Sequence, residues 1–343
     1  MDTKKFEFER RDFLKKSSVA LTTLGSSSLS SSLLLHSTVF AEEANSKPLR
    51  ASYFCNGELH IGEIGKGEGT AITKGFMDFK PSWSRTEDKL IFFRRIKDSM
   101  AVNNWKTAIS IIGSDGSDLH HLSDGAKTDF NPTWTRDGLN TPIWNRKNDK
   151  KGSFYVMQGK VGGKPGEEIQ LTDDSYHTWV FSTLTDGRLL VQCDHPKMGW
   201  GNYLMTRGEG TKPLFEKVEC QLAANGLLDR VSISPDEKKV CFEYQRGFNY
   251  VYHGRTLYIA DFDAAKRSIT NMKPIANADG KMFWFAYPRW IGGDSSVIYQ
   301  ASDKRFAEQC QLMLYKVSDN STTKVSTNPA SDYRYPHGEA QPC

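Results

Sequence analysis

Phe130-Asn131-Pro132-Thr133-Trp134-Thr135-Arg136-Asp137-Gly138, followed at once by Thr141-Pro142-Ile143-Trp144, decides how the rest of the chain is read. A short strand-like run stops at Asp-Gly and an apolar run begins just after it. That is the signature of two strands joined by a tight turn. The same phrase recurs. Phe79-Lys80-Pro81-Ser82-Trp83 precedes the apolar residues 89–93, and Ser182-Thr183-Leu184-Thr185-Asp186-Gly187 precedes 188–191. Val231-Ser232-Ile233-Ser234-Pro235-Asp236 precedes 239–242, and Tyr287-Pro288-Arg289-Trp290 precedes 296–299.

A second hairpin follows the first, as in Ile109-Ser110-Ile111-Ile112 with Asp115-Gly116, or Leu312-Met313-Leu314-Tyr315 with Asp319-Asn320. Two hairpins make four strands, and a four-stranded unit repeated about every fifty residues is a propeller blade. Equivalent positions fall at 81, 132, 181, 231 and 288. A sixth copy opens at Tyr335-Pro336-His337, close to the last residue, Cys343. Its three remaining strands are found at the other end, in residues 50–54, 59–64 and 69–73. The expectation is an all-β, six-bladed β-propeller over 50–343, its last blade closed by both termini so that no sheet edge is left open. Seven blades is the alternative.

The repeat resembles the TolB-type, WD-like propeller repeat, in which x-P-x-W-S-P-D-G leads into an I-x-F strand. The likeness covers essentially all of 50–343, and it is specific as a set rather than copy by copy. The α/β domain that precedes the propeller in TolB has no expected counterpart here, so the resemblance implies a fold and not a role. More distantly the pattern is similar to oligogalacturonate-lyase propellers, which implies a possible uronate chemistry with a histidine-held metal.

Residues 1–41 read as an address. Arg10-Arg11-Asp12-Phe13-Leu14-Lys15 resembles the twin-arginine export signal, departing only at Glu9, where Ser or Thr is usual. An uncharged, serine-rich stretch follows and ends in Val39-Phe40-Ala41, a small-x-small exit. Serine dilutes it below what a spanning helix requires, so the expectation is an exported, periplasmic or extracellular chain that is not an integral membrane protein. Residues 42–49 would be a short linker.

The whole chain carries 45 basic and 41 acidic residues, of which six and four lie in 1–41, leaving a charge of about +2 for the remainder. That balance excludes nucleic acid as the partner. Six cysteines, at 55, 193, 220, 241, 310 and 343, show no CxxC and no zinc-type His/Cys spacing, so no metal site is predicted. Disulfides and buried free thiols both stay open. G-x-S-x-G, HExxH and phosphate-loop patterns are absent from 42–343.

Candidate ligand-binding residues come from the loops on one face, where strand two meets strand three. They are Arg94, Arg146, His195, Trp200, Arg246, Tyr250, His253 and Arg305. A ring of cations interleaved with aromatics suits an anionic glycan or an envelope protein, because guanidinium pairs with carboxylate and aromatic faces stack on sugar rings. Trp83, Trp134 and Trp290, on the innermost strands, are read as blade packing. The expected role is that of a monomeric binding protein. The alternative is a polysaccharide lyase, in which Arg246 or Arg334 would neutralise a uronate and His177, His195 or His337 would take its proton. A divalent metal belongs only to that alternative.

Overall fold

The computed structural model describes residues 48–75, 77–96, 105–173, 175–208, 210–224, 226–246, 256–276, 284–303, 309–326, 328 and 331–338. The twin-arginine motif, with Arg10, Arg11, Phe13, Leu14 and Lys15, lies outside them, as do Tyr250, His253 and Arg305.

The described residues form six sheets, five of four antiparallel strands and one of five strands. Blade 1 comprises Asp78–Trp83, Lys89–Arg95, Thr107–Gly113 and His120–His121. Blade 2 runs from Asp129–Trp134 to Ile169–Gln170, blade 3 from His177–Thr183 to Leu214–Lys217, and blade 5 from Trp284–Ile291 to Ser321–Lys324. Blade 4, Gly226–Ile233 to Ser268–Ala276, gains a fifth, parallel strand at Glu219–Cys220. In blade 6 the C-terminal Tyr333–Gly338 is innermost, pairing with Arg50–Cys55, which pairs with Glu58–Glu63 and so on to Thr70–Ala71. The fold is the six-bladed propeller the repeats predict, with the ends of the chain sharing one blade.

The middle strands carry unbroken apolar runs because both of their faces are covered. Leu90, Ile91 and Phe92 are fully buried, and the core divides into wedges between neighbouring blades. Trp83, Trp134 and Trp290 are buried in these wedges. The indoles of Trp134 and Trp290 each donate to a carbonyl of the preceding blade, at Ser82 and Ser232. Cys55, Cys193 and Cys241 are buried as free thiols, and Cys310 is buried as well. Of the two open readings of the cysteines, the second holds for Cys55, Cys193 and Cys241.

Candidate functional site

Each innermost strand bulges at the same point. Register shifts fall between Phe79 and Ser82, Phe130 and Thr133, Val180 and Ser182, Asp229 and Ser232, and Ala286 and Arg289. A bulge re-aims a side chain. In five blades the bulge residue takes the left-handed conformation without being glycine: Lys80, Asn131, Arg230, Tyr287 and Tyr335, all with φ between 50° and 55°. Four of them precede proline, where an extended backbone is the ordinary choice. Blade 3 has one residue fewer in its bulge, Phe181, and no left-handed residue.

The surrounding fold holds these outliers in place. Buried polar side chains on the second strand reach the backbone of the next blade's inner strand. Glu243 Oε1 accepts from the Tyr287 amide at 2.7 Å, Gln300 Oε1 from the Tyr335 amide at 2.8 Å and Asn145 Oδ1 from the Val180 amide at 3.1 Å. Gln192 Nε2 donates to Leu228 O at 3.2 Å. Left-handed non-glycine residues cost on the order of 1–3 kcal/mol each and persist only where neighbours over-determine them.

The bulges surround an axial cavity of about 400 Å³. A second tier of equivalent residues narrows it: Ser82, Thr133, Ser182, Ser232, Arg289 and His337 line both this cavity and a smaller one of about 100 Å³ on its other side. The site is therefore a funnel with a floor of four hydroxyls, an arginine and a histidine.

Charge is unevenly placed in it. The Lys80 amine donates to Asn131 Oδ1 and lies 4.8 Å from the Tyr287 ring centre. It forms no ion pair among the described residues. Burial lowers its pKa, Arg230 and Arg289 add to the effect, and Tyr287 opposes it. Arg230 stacks on Tyr287 at 4.3 Å and pairs with Glu243 at 2.6 Å and Asp229 at 3.1 Å. Tyr287 meets Tyr335 edge-on at 4.5 Å. Burial raises the Tyr287 phenol, but Arg230 and Lys80 outweigh it, so its pKa falls below the usual value. The Tyr335 phenol is pushed up, chiefly by burial.

The wall contributed by blades 2 and 3 is aromatic. Phe154 and Trp179 lie 4.3 Å apart, and His177 packs against Phe154 at 5.1 Å and Trp200 at 5.4 Å. The Trp179 indole donates to His177 Nε2 at 2.9 Å. An indole N–H can only donate, so His177 is neutral and carries its proton on Nδ1. Burial holds its pKa below the ordinary 6.5 against the pull of Asp194. A histidine kept neutral in the fold contributes stability that is complete above 6.5 and is lost as pH falls through its lowered value. Acidification is therefore expected to shift tryptophan fluorescence and lower the unfolding midpoint, and His177→Gln should flatten that dependence.

Several of the residues expected from the sequence to bind ligand are engaged elsewhere. Arg94 forms a buried bidentate pair with Asp78 at 2.7 and 2.8 Å, and Arg146 one with Asp129 at 2.7 and 2.9 Å. Arg146 also meets Glu168 at 2.9 Å. Each of these arginines ties together strands of its own blade and does not line the funnel. Arg334 pairs with Asp332 at 2.7 Å. His195 Nδ1 accepts from the Lys197 and Met198 amides, and its ring packs among Tyr176, Tyr203 and Phe215, apart from the axis. Arg246 ends a strand, and its side chain lies outside the described residues.

Of the candidates, His177, Trp200 and His337 line the cavity. His337 Nε2 meets Ser82 Oγ at 3.3 Å. Lys80, Asn131, Arg230, Tyr287, Arg289 and Tyr335 were not foreseen. For Lys80, Asn131, Tyr287 and Tyr335 a signal was available in the repeat, since the position before its proline varies among charged, polar and aromatic residues.

This architecture is that of a six-bladed β-propeller. No family profile matches the chain, and no curated protein matches it. Solved structures do. Hydrazine synthase of Kuenenia stuttgartiensis superposes with a TM-score of 0.61 at 12% identity, over 89% of this chain and 48% of that one. This chain thus spans about half the length of that relative. A putative TolB from Agrobacterium tumefaciens gives 0.54 at 12% identity, over 87% of this chain and 100% of that one. An oligogalacturonate lyase in complex with manganese gives 0.42 at 11% identity, over 81% and 74%. At these identities the likeness is one of fold, and at 0.42 it carries no argument.

Proposed function

We propose that the chain is a binding propeller whose axial funnel captures a small anionic ligand carrying a ring, of which a uronic acid at the end of an anionic glycan is the best-fitting class. The observation that carries this reading is the convergence of Lys80, Arg230 and Arg289 in a cavity that Phe154, His177, Trp179 and Trp200 also line. A carboxylate suits the first group and a sugar ring the second. The Trp200 indole N–H is buried and has no hydrogen-bond partner among the described residues, so a ligand hydroxyl would satisfy it.

Lys80→Gln keeps a polar side chain of similar length and removes the charge. Loss of one charge-assisted contact, about 1.5–3 kcal/mol, should weaken capture of galacturonate oligomers roughly ten- to hundredfold. Titration followed by tryptophan fluorescence reads this, with neutral galactose oligomers as the comparison. Equal binding of both oligomers, or an unchanged Lys80→Gln titration, would reject the reading.

A lyase is the second reading, favoured by the lowered Tyr287 phenol beside Lys80 and Arg230. As base, the Tyr287 phenolate would take the proton from the carbon next to the carboxylate; a carbon–carbon double bond would form as the bond from the neighbouring carbon to the glycosidic oxygen breaks, and that oxygen would take the proton back from the Tyr287 phenol. His177 does not suit this part, because its Nε2 is occupied by Trp179. Among the described residues the axial histidines are not joined by other ligands at metal spacing. Near-ultraviolet absorbance of an unsaturated product, lost in Tyr287→Phe, would establish the lyase; its absence leaves capture alone.

Export along the twin-arginine route belongs to the same proposal. The described residues contain no helix long and apolar enough to cross a membrane. Changing Arg10 and Arg11 both to Lys should retain the protein in the cytoplasmic fraction, and undiminished export of that variant would discard the route.

A further inference from the structure

A second cluster lies in the closing blade, away from the funnel lining. Cys55 ends the strand Arg50–Cys55, His60 lies in Glu58–Glu63, and Glu68 follows in the next loop. One ligand atom from each falls within 4.8 Å of the other two. The spacing, Cys-x4-His-x7-Glu, matches no familiar metal pattern, which is why the sequence did not betray it.

Three features show that the cluster is built rather than incidental. First, His60 Nδ1 lies 3.1 Å from the Gly69 carbonyl, which can only accept. That fixes the proton on Nδ1 and leaves Nε2 with its lone pair, the arrangement by which outer partners orient metal-binding histidines. Second, Tyr53 stacks on the His60 ring at 5.8 Å, and its hydroxyl accepts from the Gly69 amide at 2.6 Å. One tyrosine thus braces both the ring and the loop that bears Glu68.

Third, that loop is pressed onto the strand beside it. A Cβ at Gly69 would come within 2.3 Å of Ile61 O, and one at Gly62 within 2.8 Å of Gly69 Cα. Glycine is required at both places for Glu68 to sit beside Cys55. The Cys55 thiol donates to Glu68 Oε1 at 3.1 Å, so a proton now lies between the sulfur and the carboxylate.

We propose that Cys55, His60 and Glu68 form a site for a zinc-type divalent cation, with the fourth position left to water. Thiolate, imidazole and carboxylate together select a borderline ion of this kind over magnesium or calcium. On binding, a metal–sulfur bond replaces the S–H bond and the thiol proton passes to solvent, one proton for each ion. Cys55 is buried and Glu68 exposed, so the ion enters from the Glu68 side. It ties together two strands and a loop of the blade that closes the ring.

The test uses the purified chain, freed of metal and titrated with Co2+. One equivalent should bind with the near-ultraviolet thiolate-to-cobalt band, release one proton and raise the thermal midpoint. Cys55→Ser should abolish the band. Because that residue is buried, the exposed Glu68→Gln serves as a second variant; folded, as judged by near-ultraviolet circular dichroism, it should bind about tenfold or more weakly. Binding without the band, no binding, or an unchanged affinity in folded Glu68→Gln would each overturn the proposal. Zinc competition then identifies the ion class.

Discussion

A chain that stops at Asp332 is expected to lose its cooperative fold. The missing strand, Tyr333–Gly338, is the innermost of blade 6 and pairs with Arg50–Cys55 at Ala51, Ser52, Phe54 and Cys55. Without it, the middle strand of a blade becomes an open edge beside the axis. The side chain of Tyr333, almost wholly buried, contributes about 1.5–3 kcal/mol by itself. The backbone pairs add roughly 1 kcal/mol each. Tyr335 and His337 also leave the funnel. The total approaches the whole stability of a typical domain, about 5–15 kcal/mol. Soluble yield and near-ultraviolet circular dichroism measure the outcome; a truncated chain that unfolds at the full-length midpoint would contradict blade closure by the termini.

Arg146→Met is expected to destabilise by about 3–5 kcal/mol, since removing one member of a buried pair strands the other's charge. Asp129 is 1% exposed and Arg146 9%. Burial pushes the Asp129 carboxyl up while Arg146 holds it down, so the carboxylate relies on its partner. Denaturant unfolding should show a lower midpoint with an unchanged slope. Adding Asp129→Asn should recover part of the loss, and ligand capture should persist because neither residue lines the funnel. The more exposed Arg334–Asp332 pair should contribute only about 0–1 kcal/mol.

Arg146 also shows where the sequence misleads. A cation after the second strand recurs from blade to blade, and recurrence on a loop face suggested a ring of ligands. Its partner, Asp129, is seventeen residues earlier, and only the antiparallel register Asp129↔Arg146 places the two side by side. The same register joins Asp78 to Arg94. A cation repeated in register with a carboxylate is structural.

The blade repeat, the number of blades and the shared last blade were set by the sequence alone, because they depend on local periodicity: strand, tight turn, apolar strand, about every fifty residues. What faces the axis was decided by tertiary structure. Six bulges turn Lys80, Asn131, Phe181, Arg230, Tyr287 and Tyr335 towards a shared cavity, five of them in a backbone conformation that local preference disfavours. Side chains such as Glu243 and Gln300, from the blade before, hold them there. Cys55, His60 and Glu68 likewise meet only because a loop closes onto its own sheet through Gly62 and Gly69. Periodicity is a property of neighbours in sequence, and a site is a property of neighbours in space.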